Sequence, residues 1–429
     1  MLIHLKTLGC RLNEAELETW AQAFQAAGHH ITRKQAQADV IIINSCAVTA
    51  DASRKSRQLI RRMHRENPHA KLVVSGCYAS LNPDEAAQLM GVDLVISNKD
   101  KNQLVEQTLS QLNFASMPAM STEPGEFSLF SRGRQRAFIK VQDGCRYRCT
   151  FCIVTVARGE EVSRPIATII DEINALHQQG INEVILTGVH LGGYGDDINS
   201  NLSQLILNIL KHTDIPRLRM GSLEPWELPI GFFDLFDNPR LMPHLHLPLQ
   251  SGSDTVLRRM ARRCKTAEFA DMVQQARDKI KNFNITTDII VGFPGETEQE
   301  WQTSFDYIKS IGFGHIHIFT YSSREGTKAA TLPHQLPNEI KKKRSKQLHQ
   351  LAEQMKQQFI AQNINQQYPV LWEGQKKPVD DDHYLSFGYT PNYLRVACKI
   401  ANDDSIENKI IPAALKGITD EHLMCELNT

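Results

Sequence analysis

An α/β chain of three domains is the architecture this sequence predicts, and three observations predict it. Short apolar runs alternate with helical patterns twice along the 429 residues, an aperiodic stretch separates the two alternations, and a run of short β-like segments closes the chain. The expected division is a parallel α/β domain over 1–112, a linker over 113–134, a partial (βα) TIM-like barrel over 135–365 and a small β-barrel over 366–429.

In the first alternation, strands are expected over 2–8, 40–44, 72–75 and 94–96, with helices over 14–27, 52–67, 82–90 and 100–112. Strands regularly separated by helices point to βαβ units and a parallel sheet. Ser, Met, Pro, Gly and Glu without period mark 113–134 as the linker. The second alternation offers strands over 138–141, 183–186, 217–220, 244–247, 285–291 and 315–321. Six such repeats suggest a partial barrel whose chemistry sits at the carboxyl ends of its strands. Pro337 opens a long polar helix to about residue 364, after which strands over 368–372, 384–387, 394–398, 406–415 and 423–426 suggest a small barrel of oligonucleotide-binding type.

The composition, 41% hydrophobic and 22% charged, excludes disordered and collagen-like classes. No apolar run approaches the ~18 residues of a membrane span, and the start lacks a secretory pattern, so a cytoplasmic location without membrane contact is the default expectation. The 48 basic and 48 acidic side chains cancel, which gives no global sign of a nucleic-acid partner. Nine cysteines in a reducing compartment suggest metal or redox chemistry rather than disulfides.

Cys145, Cys149 and Cys152 stand at C-x3-C-x2-C spacing just after the first expected barrel strand, with Phe151 before the last cysteine. Three thiolates can hold three corners of a 4Fe-4S cube and leave one iron open for a ligand. A zinc site with a remote fourth ligand is the competing reading. Cys10, Cys46 and Cys77 each follow an expected parallel strand, beside Gly9, Ser45 and Gly76. Loops at the carboxyl ends of such strands gather on one edge, so three residues far apart in sequence can meet. Each alone would read as a small buried hydrophobe; three in the same register point to a second metal centre.

The first spacing, with its aromatic residue, resembles the radical S-adenosylmethionine enzymes. Thr7-Leu8-Gly9-Cys10, Asn44-Ser45-Cys46-Ala47-Val48-Thr49 and Ser75-Gly76-Cys77 look like the N-terminal domain of the methylthiotransferases within that superfamily. The linker, the barrel and a terminal β domain of TRAM-like kind follow in the family's order. Residues 186–195, with Gly188 and His190, look most like the branch acting on threonylcarbamoyladenosine in tRNA. Relatives act on isopentenyladenosine in tRNA or on an aspartate of a ribosomal protein; a non-catalytic iron-sulfur or zinc RNA-binding redox sensor is the rival of another class.

The resemblance implies two 4Fe-4S clusters and two S-adenosylmethionine molecules. One molecule methylates sulfur on the Cys10/Cys46/Cys77 cluster; the other, at Cys145/Cys149/Cys152, yields a 5′-deoxyadenosyl radical that takes hydrogen from C2 of the adenosine. It also implies an electron donor such as a flavodoxin or ferredoxin type protein and, as substrate, the anticodon loop of tRNA. Expected cofactor contacts are Phe151, Gly188, Glu224, Gln250, Asp288 and Gly292, at or near strand ends; a turn after a strand explains Gly292 equally well. Relatives carry Pro and an aromatic residue after the third cysteine and basic residues near Arg158, where this chain has Val154-Thr155-Val156-Ala157-Arg158-Gly159-Glu160-Glu161. Cys264, Cys398 and Cys425 match no expected ligand.

Charge is unevenly spread: residues 1–112 hold 13 basic and 11 acidic side chains, 113–365 hold 29 and 27, and 366–429 hold 6 and 10. Phosphate contacts are therefore expected from Arg54, Lys55, Arg57, Arg61, Arg62 and Arg65 on one helix and from the basic run 258–265, although each also reads as a solvated face. In the acidic terminal domain, Tyr389, Tyr393 and Arg395 remain candidates for stacking or pairing with an anticodon-loop base.

Overall fold

Strand β1 (Leu2–Thr7) pairs in parallel with β2 (His30–Ile31) on one side and β3 (Val40–Ser45) on the other. Strands β4 (Lys71–Gly76) and β5 (Val92–Val95) complete a parallel sheet of order β2-β1-β3-β4-β5. This computed structural model describes residues 1–112, 135–419 and 422–427, so the expected linker over 113–134 lies outside the described residues. The apolar run in β3 serves both faces of the sheet. Val40 and Ile42 pack with Leu17, Trp20 and Phe24 of helix α1 (Arg11–Ala26), while Ile41 and Ile43 pack with Leu59, Ile60 and Met63 of α2 (Ala50–Glu66). That double burial explains a continuous rather than alternating apolar strand.

Three local details depart from the sequence expectation. Helix α1 begins at Arg11, not 14, because Cys10 is extended and serves as its N-cap. Strand β2 has only two residues, too few to leave a pattern. The helix expected over 82–90 is the short α4 (Pro83–Ala87), and a further helix, α3 (Cys77–Leu81), precedes it, the two kept apart because Pro83 holds Asn82 out of the helical region at φ −134°, ψ 61°. Helix α5 (Leu104–Gln111) then closes the domain.

The central part holds β6 (Arg136–Lys140), the short antiparallel pair β7 (Gln142–Asp143) and β8 (Val162–Ser163), then β9 (Glu183–Thr187), β10 (Arg217–Met220), β11 (His244–His246), β12 (Asn284–Val291) and β13 (His315–Thr320). Parallel sheets β10-β9-β6 and β11-β12-β13 are joined by the bridges Leu218↔Leu241 and Ser222↔His246. Six parallel strands thus follow chain order, and among the described residues the first and last do not pair. Helix α6 (Val154–Arg158) packs against α3 of the N-terminal domain, and the covering helices are α7 (Ile166–Gln178), α8 (Leu202–His212), α9 (Asp254–Arg259), α10 (Thr266–Lys279), α11 (Glu298–Ile311) and the long α12 (Asn338–Asn363). Their apolar stripes, such as Ile169, Ile173 and Leu176, bury against Val184 and Leu186.

The last strands, β14 (Gln367–Pro378), β15 (His383–Tyr389), β16 (Arg395–Ala401), β17 (Ile410–Thr419) and β18 (His422–Leu427), form a closed barrel of order β14-β15-β16-β18-β17. It sits under the amino ends of the central strands: Arg217 donates to the Pro369 carbonyl at 2.8 Å and the Tyr389 carbonyl at 3.1 Å, and Asn284 to the Asn392 carbonyl at 2.8 Å. Buried Glu183 gathers Arg217, Arg219 and Arg136 there. Burial pushes its carboxyl up, but the three guanidinium groups outweigh it and hold it at about 2.

Candidate functional site

Cys10, Cys46 and Cys77 sit at the carboxyl ends of the neighbouring strands β1, β3 and β4. Gly9, at φ +125°, lets the first loop close on the second: a Cβ there would stand 3.0 Å from the Cys46 Cβ and 3.1 Å from its Sγ. Buried Asn13 fastens the loops together, donating to the Leu8 carbonyl at 2.9 Å and the Ser45 carbonyl at 3.3 Å while accepting from the Cys10 thiol at 3.6 Å. Ser56 holds Cys46 by accepting from its amide at 3.0 Å and donating to its carbonyl at 2.8 Å. Asn98 donates to Cys77 Sγ at 3.8 Å. Burial lifts the Cys46 thiol to about 11, and proximity of Cys77 and Cys10 adds to it. Such thiols keep their protons until a metal ion displaces them.

The second trio lies on the loop after β7. Cys145 donates its amide to the Gly159 carbonyl at 3.2 Å, and Cys152 Sγ accepts from the Val154 amide at 3.4 Å. Thr150 pins the loop to the end of α9, donating its amide to the Met260 carbonyl at 3.0 Å and its hydroxyl to that of Arg259 at 2.9 Å. Burial raises Cys145 to about 12 and Cys152 to about 11. Asn98, which donates to Cys77 Sγ, also donates to the Ala157 carbonyl at 2.9 Å, so the loops of the two trios adjoin. Both offer three sulfur donors on tight backbone turns, a set suited to an iron-sulfur cube with one open iron.

Between them lies a charge cluster that joins the two domains. Arg158, whose side chain is 2% exposed, reaches Glu16 at 2.9 Å, Asp143 at 3.1 Å and Asn13 at 2.8 Å. Lys101 meets Glu16 at 2.7 Å and also contacts Asp143, while Lys140 stands 3.7 Å from Glu16. Burial opposes ionisation of Glu16, yet Arg158, Lys101 and Lys140 hold its carboxyl well below the usual range.

The expected cofactor contacts fall in different places. Gly188 lines a cleft beside Gln142, whose Oε1 accepts from the Val189 and His190 amides at 3.0 and 2.9 Å. Glu224 is held by burial above its ordinary carboxylate value, and its Oε2 has no hydrogen-bond partner. It faces His190 Nε2 at 3.8 Å, itself without a partner, while His190 Nδ1 meets Glu161 at 2.5 Å. The orphaned buried Glu224 oxygen, among carboxylates and near Cys145, suits a ligand carrying an ammonium group. Gln250 adopts φ +77° and joins β12 through its backbone. Phe151 packs edge-on against Phe293 at 6.5 Å. Gly292 donates its amide to Glu296 at 2.9 Å, so that group already has a partner. Asp288 lines the cleft and contacts His246 at 3.2 Å.

The cleft, of about 1270 Å³, runs from Cys10, Cys46 and Cys77 along the open side of the central strands to the terminal barrel. Its wall includes His246, Asp288 and His317, whose ligand atoms lie within 4.8 Å of one another. Sequence reasoning missed these histidines; the His-x-His spacing of 244/246 and 315/317 on strands, which puts each pair on one face, was the available signal. The basic candidates are partly spent inside the fold. Arg54 and Lys55 pair with Asp51, Arg57 with Glu85, Arg259 with Glu300 at 2.7 Å, and Arg262 lies 4.2 Å above the Trp226 ring; Arg61, Arg62 and Arg65 are exposed. Cys264, Cys398 and Cys425 are buried apart from both trios.

Residues 139–308 match the Radical SAM superfamily, and residues 2–97 match the family described as Uncharacterized protein family UPF0004. The chain is 35% identical over 408 residues to the threonylcarbamoyladenosine tRNA methylthiotransferase of Bacillus subtilis strain 168, covering 92% of this chain and 90% of that one. The protein of the same name from Thermotoga maritima is also 35% identical, with 91% and 92% covered. The tRNA-2-methylthio-N(6)-dimethylallyladenosine synthase of Staphylococcus aureus strain MRSA252 is 32% identical, with 90% and 77% covered. Among solved structures, the radical S-adenosylmethionine methyltransferase TsrM from Kitasatospora setae, with cobalamin and a [4Fe-4S] cluster bound, shares the fold at a TM-score of 0.56, 16% identity and 77% of each chain.

Proposed function

The chain belongs to the radical S-adenosylmethionine methylthiotransferase family, and from that membership we propose that it places a methylthio group on C2 of N6-threonylcarbamoyladenosine beside the anticodon of tRNA. The reading is carried by one observation: two trios of cysteines lie on adjoining loops, Asn98 donating both to Cys77 Sγ at 3.8 Å and to the carbonyl of Ala157, in the helix that follows Cys152, at 2.9 Å. We assign Cys145, Cys149 and Cys152 to the cluster that binds S-adenosylmethionine, and Cys10, Cys46 and Cys77 to a second that donates sulfur. Together, when bound, these groups supply radical formation and a sulfur donor, chemistry that an aromatic C–H without an acidic proton requires.

The chain's own residues bind and orient. Glu224, Glu161 and Glu227 around His190 offer negative charge to the cofactor's ammonium group, and Gly188 and Asp288 line the cleft that receives the base. Residues 1–112 provide the sulfur, 135–365 the radical, and 366–429 a face for RNA. His246, His317 and Asp288 give the cleft a polar wall, which favours the polar threonylcarbamoyl arm over an apolar dimethylallyl one. The setting is cytoplasmic, with a flavodoxin or ferredoxin type protein as electron source; no helix among the described residues is long and apolar enough to cross a membrane.

Anaerobic reconstitution tests the assignment. About eight iron per chain is expected from two cubes. Cys149→Ala should abolish reductive cleavage of S-adenosylmethionine, whereas Cys46→Ala should keep cleavage and lose methylthio transfer. Transfer retained in Cys46→Ala removes the sulfur-donor role from the N-terminal trio.

A further inference from the structure

Arg11 is a cation of the cleft wall that the chemistry above leaves unused. It follows Cys10 directly and lines the cleft. Its Nη2 donates to the Tyr393 hydroxyl at 3.0 Å, and its guanidinium lies 5.7 Å from the Tyr393 ring and 5.8 Å from that of Phe138. Among the described residues it forms no ion pair. Its neighbours in the same wall do: Arg158 with Glu16 and Asp143, and Lys356 with Glu353. Arg395, farther along on the terminal barrel, donates to Gln375 at 2.6 Å and is exposed.

Tyr393 holds Arg11, and its hydroxyl also accepts from Arg136 Nη1 at 3.5 Å. It adopts φ +69°, a costly conformation for a tyrosine. Its ring stacks with those of His244 at 4.7 Å and Tyr389 at 5.0 Å, and the Arg219 guanidinium lies 4.5 Å from it. Across the cleft, His246 is engaged by Asp288 at 3.2 Å and Thr286 at 2.9 Å, while His317, its ring 5.5 Å from that of His246, is exposed to the lumen. Arg11 and His317 both line this cleft.

We propose that Arg11, oriented by Tyr393, together with His317 forms the subsite that binds the carboxylate of the substrate's N6 arm; this rests on the substrate reading given above. C6, which bears N6, and C2 of adenine flank the same ring nitrogen, N1, so an arm on N6 lies beside whatever group delivers sulfur to C2. Arg11 is the residue adjoining Cys10. A guanidinium presents paired N–H donors that match a carboxylate, and a partly desolvated cation without a counter-charge favours an anionic ligand over a neutral one. A dimethylallyl arm would leave that cation unpaired, so the same subsite rejects it.

The test is binding of the reconstituted holoenzyme to three anticodon stem-loop RNAs of one sequence, bearing adenosine, N6-threonylcarbamoyladenosine or N6-dimethylallyladenosine, read by fluorescence anisotropy at fixed salt. The wild-type chain should prefer the threonylcarbamoyl loop over the plain one. Arg11→Gln should reduce that Kd ratio about tenfold to hundredfold, the worth of charge-assisted hydrogen bonds. Tyr393→Phe, which leaves the neighbour of Cys10 in place, should reduce it in the same direction, so a loss of iron in Arg11→Gln does not decide the outcome. An unchanged ratio in both variants, with the wild-type preference intact, overturns this subsite and spares the substrate reading. Absence of any wild-type preference removes the substrate reading, and the subsite with it. A wild-type preference abolished by EDTA at unchanged iron content overturns the subsite in favour of a cation held by His246, Asp288 and His317.

Discussion

Replacing Arg158 with Met should loosen the joint between the N-terminal and central domains by a measurable amount. The side chain is 2% exposed and makes contacts of 2.9 Å to Glu16, 3.1 Å to Asp143 and 2.8 Å to Asn13. Removing one partner from a buried ion pair costs about 3–5 kcal/mol. Lys101 still meets Glu16 at 2.7 Å, which places the expected loss at the lower end, about 3 kcal/mol. For domains of this size that corresponds to a fall in melting temperature of roughly 6–12 °C. Calorimetry of the apoprotein measures it, and limited proteolysis shows whether the domains part. The double variant Arg158→Met/Glu16→Gln should recover at least about 1 kcal/mol relative to additivity, because the two groups touch. Glu16 also sets the pH dependence. Burial works against its charge, but three cations lower its folded pKa, so its contribution is complete above the unfolded value of about 4.3 and is lost as pH falls through and below it. The stability gap between wild type and Glu16→Gln should therefore be flat from pH 7 to about 5 and close below about 4. A melting shift under about 2 °C, or a strictly additive double variant, refutes the idea that this cluster fastens the domains.

Gly9→Ala should lose iron from the N-terminal trio while the central trio retains its own, because the new Cβ would stand 3.1 Å from Cys46 Sγ and the backbone at φ +125° resists a side chain; iron analysis that reads about eight per chain would contradict this. Glu224→Gln should weaken S-adenosylmethionine binding about tenfold or more, since it replaces the buried, unpartnered carboxyl oxygen proposed to receive the cofactor's ammonium group, with equilibrium dialysis as the measure and an unchanged Kd as the contrary result.

The strand-end cysteines were legible because each closes a short apolar run beside a small residue, as in Thr7-Leu8-Gly9-Cys10 and Ser75-Gly76-Cys77. Apart from the two-residue β2, strand patterning carried the rest of the parallel framework to within a few residues. What did not show in the sequence depends on partners far apart along the chain. Arg158 meets Glu16 across 142 positions, and Tyr393 reaches Arg11 across 382. No spacing rule anticipates such pairs. The lumen histidines had a period-two signal, yet a histidine in an apolar strand also reads as an ordinary core residue. The basic run 258–265 reads as a phosphate stripe, but Arg259 and Arg262 turn inward to Glu300, Trp226 and Cys149.

Mass spectrometry of tRNA nucleosides from cells with and without this chain tests the central claim most directly. The account predicts that 2-methylthio-N6-threonylcarbamoyladenosine disappears when the chain is absent, that unmethylthiolated N6-threonylcarbamoyladenosine accumulates in its place, and that the wild-type chain but not Cys46→Ala restores the product. An unchanged nucleoside profile, or loss of the methylthio group from dimethylallyladenosine instead, would contradict it.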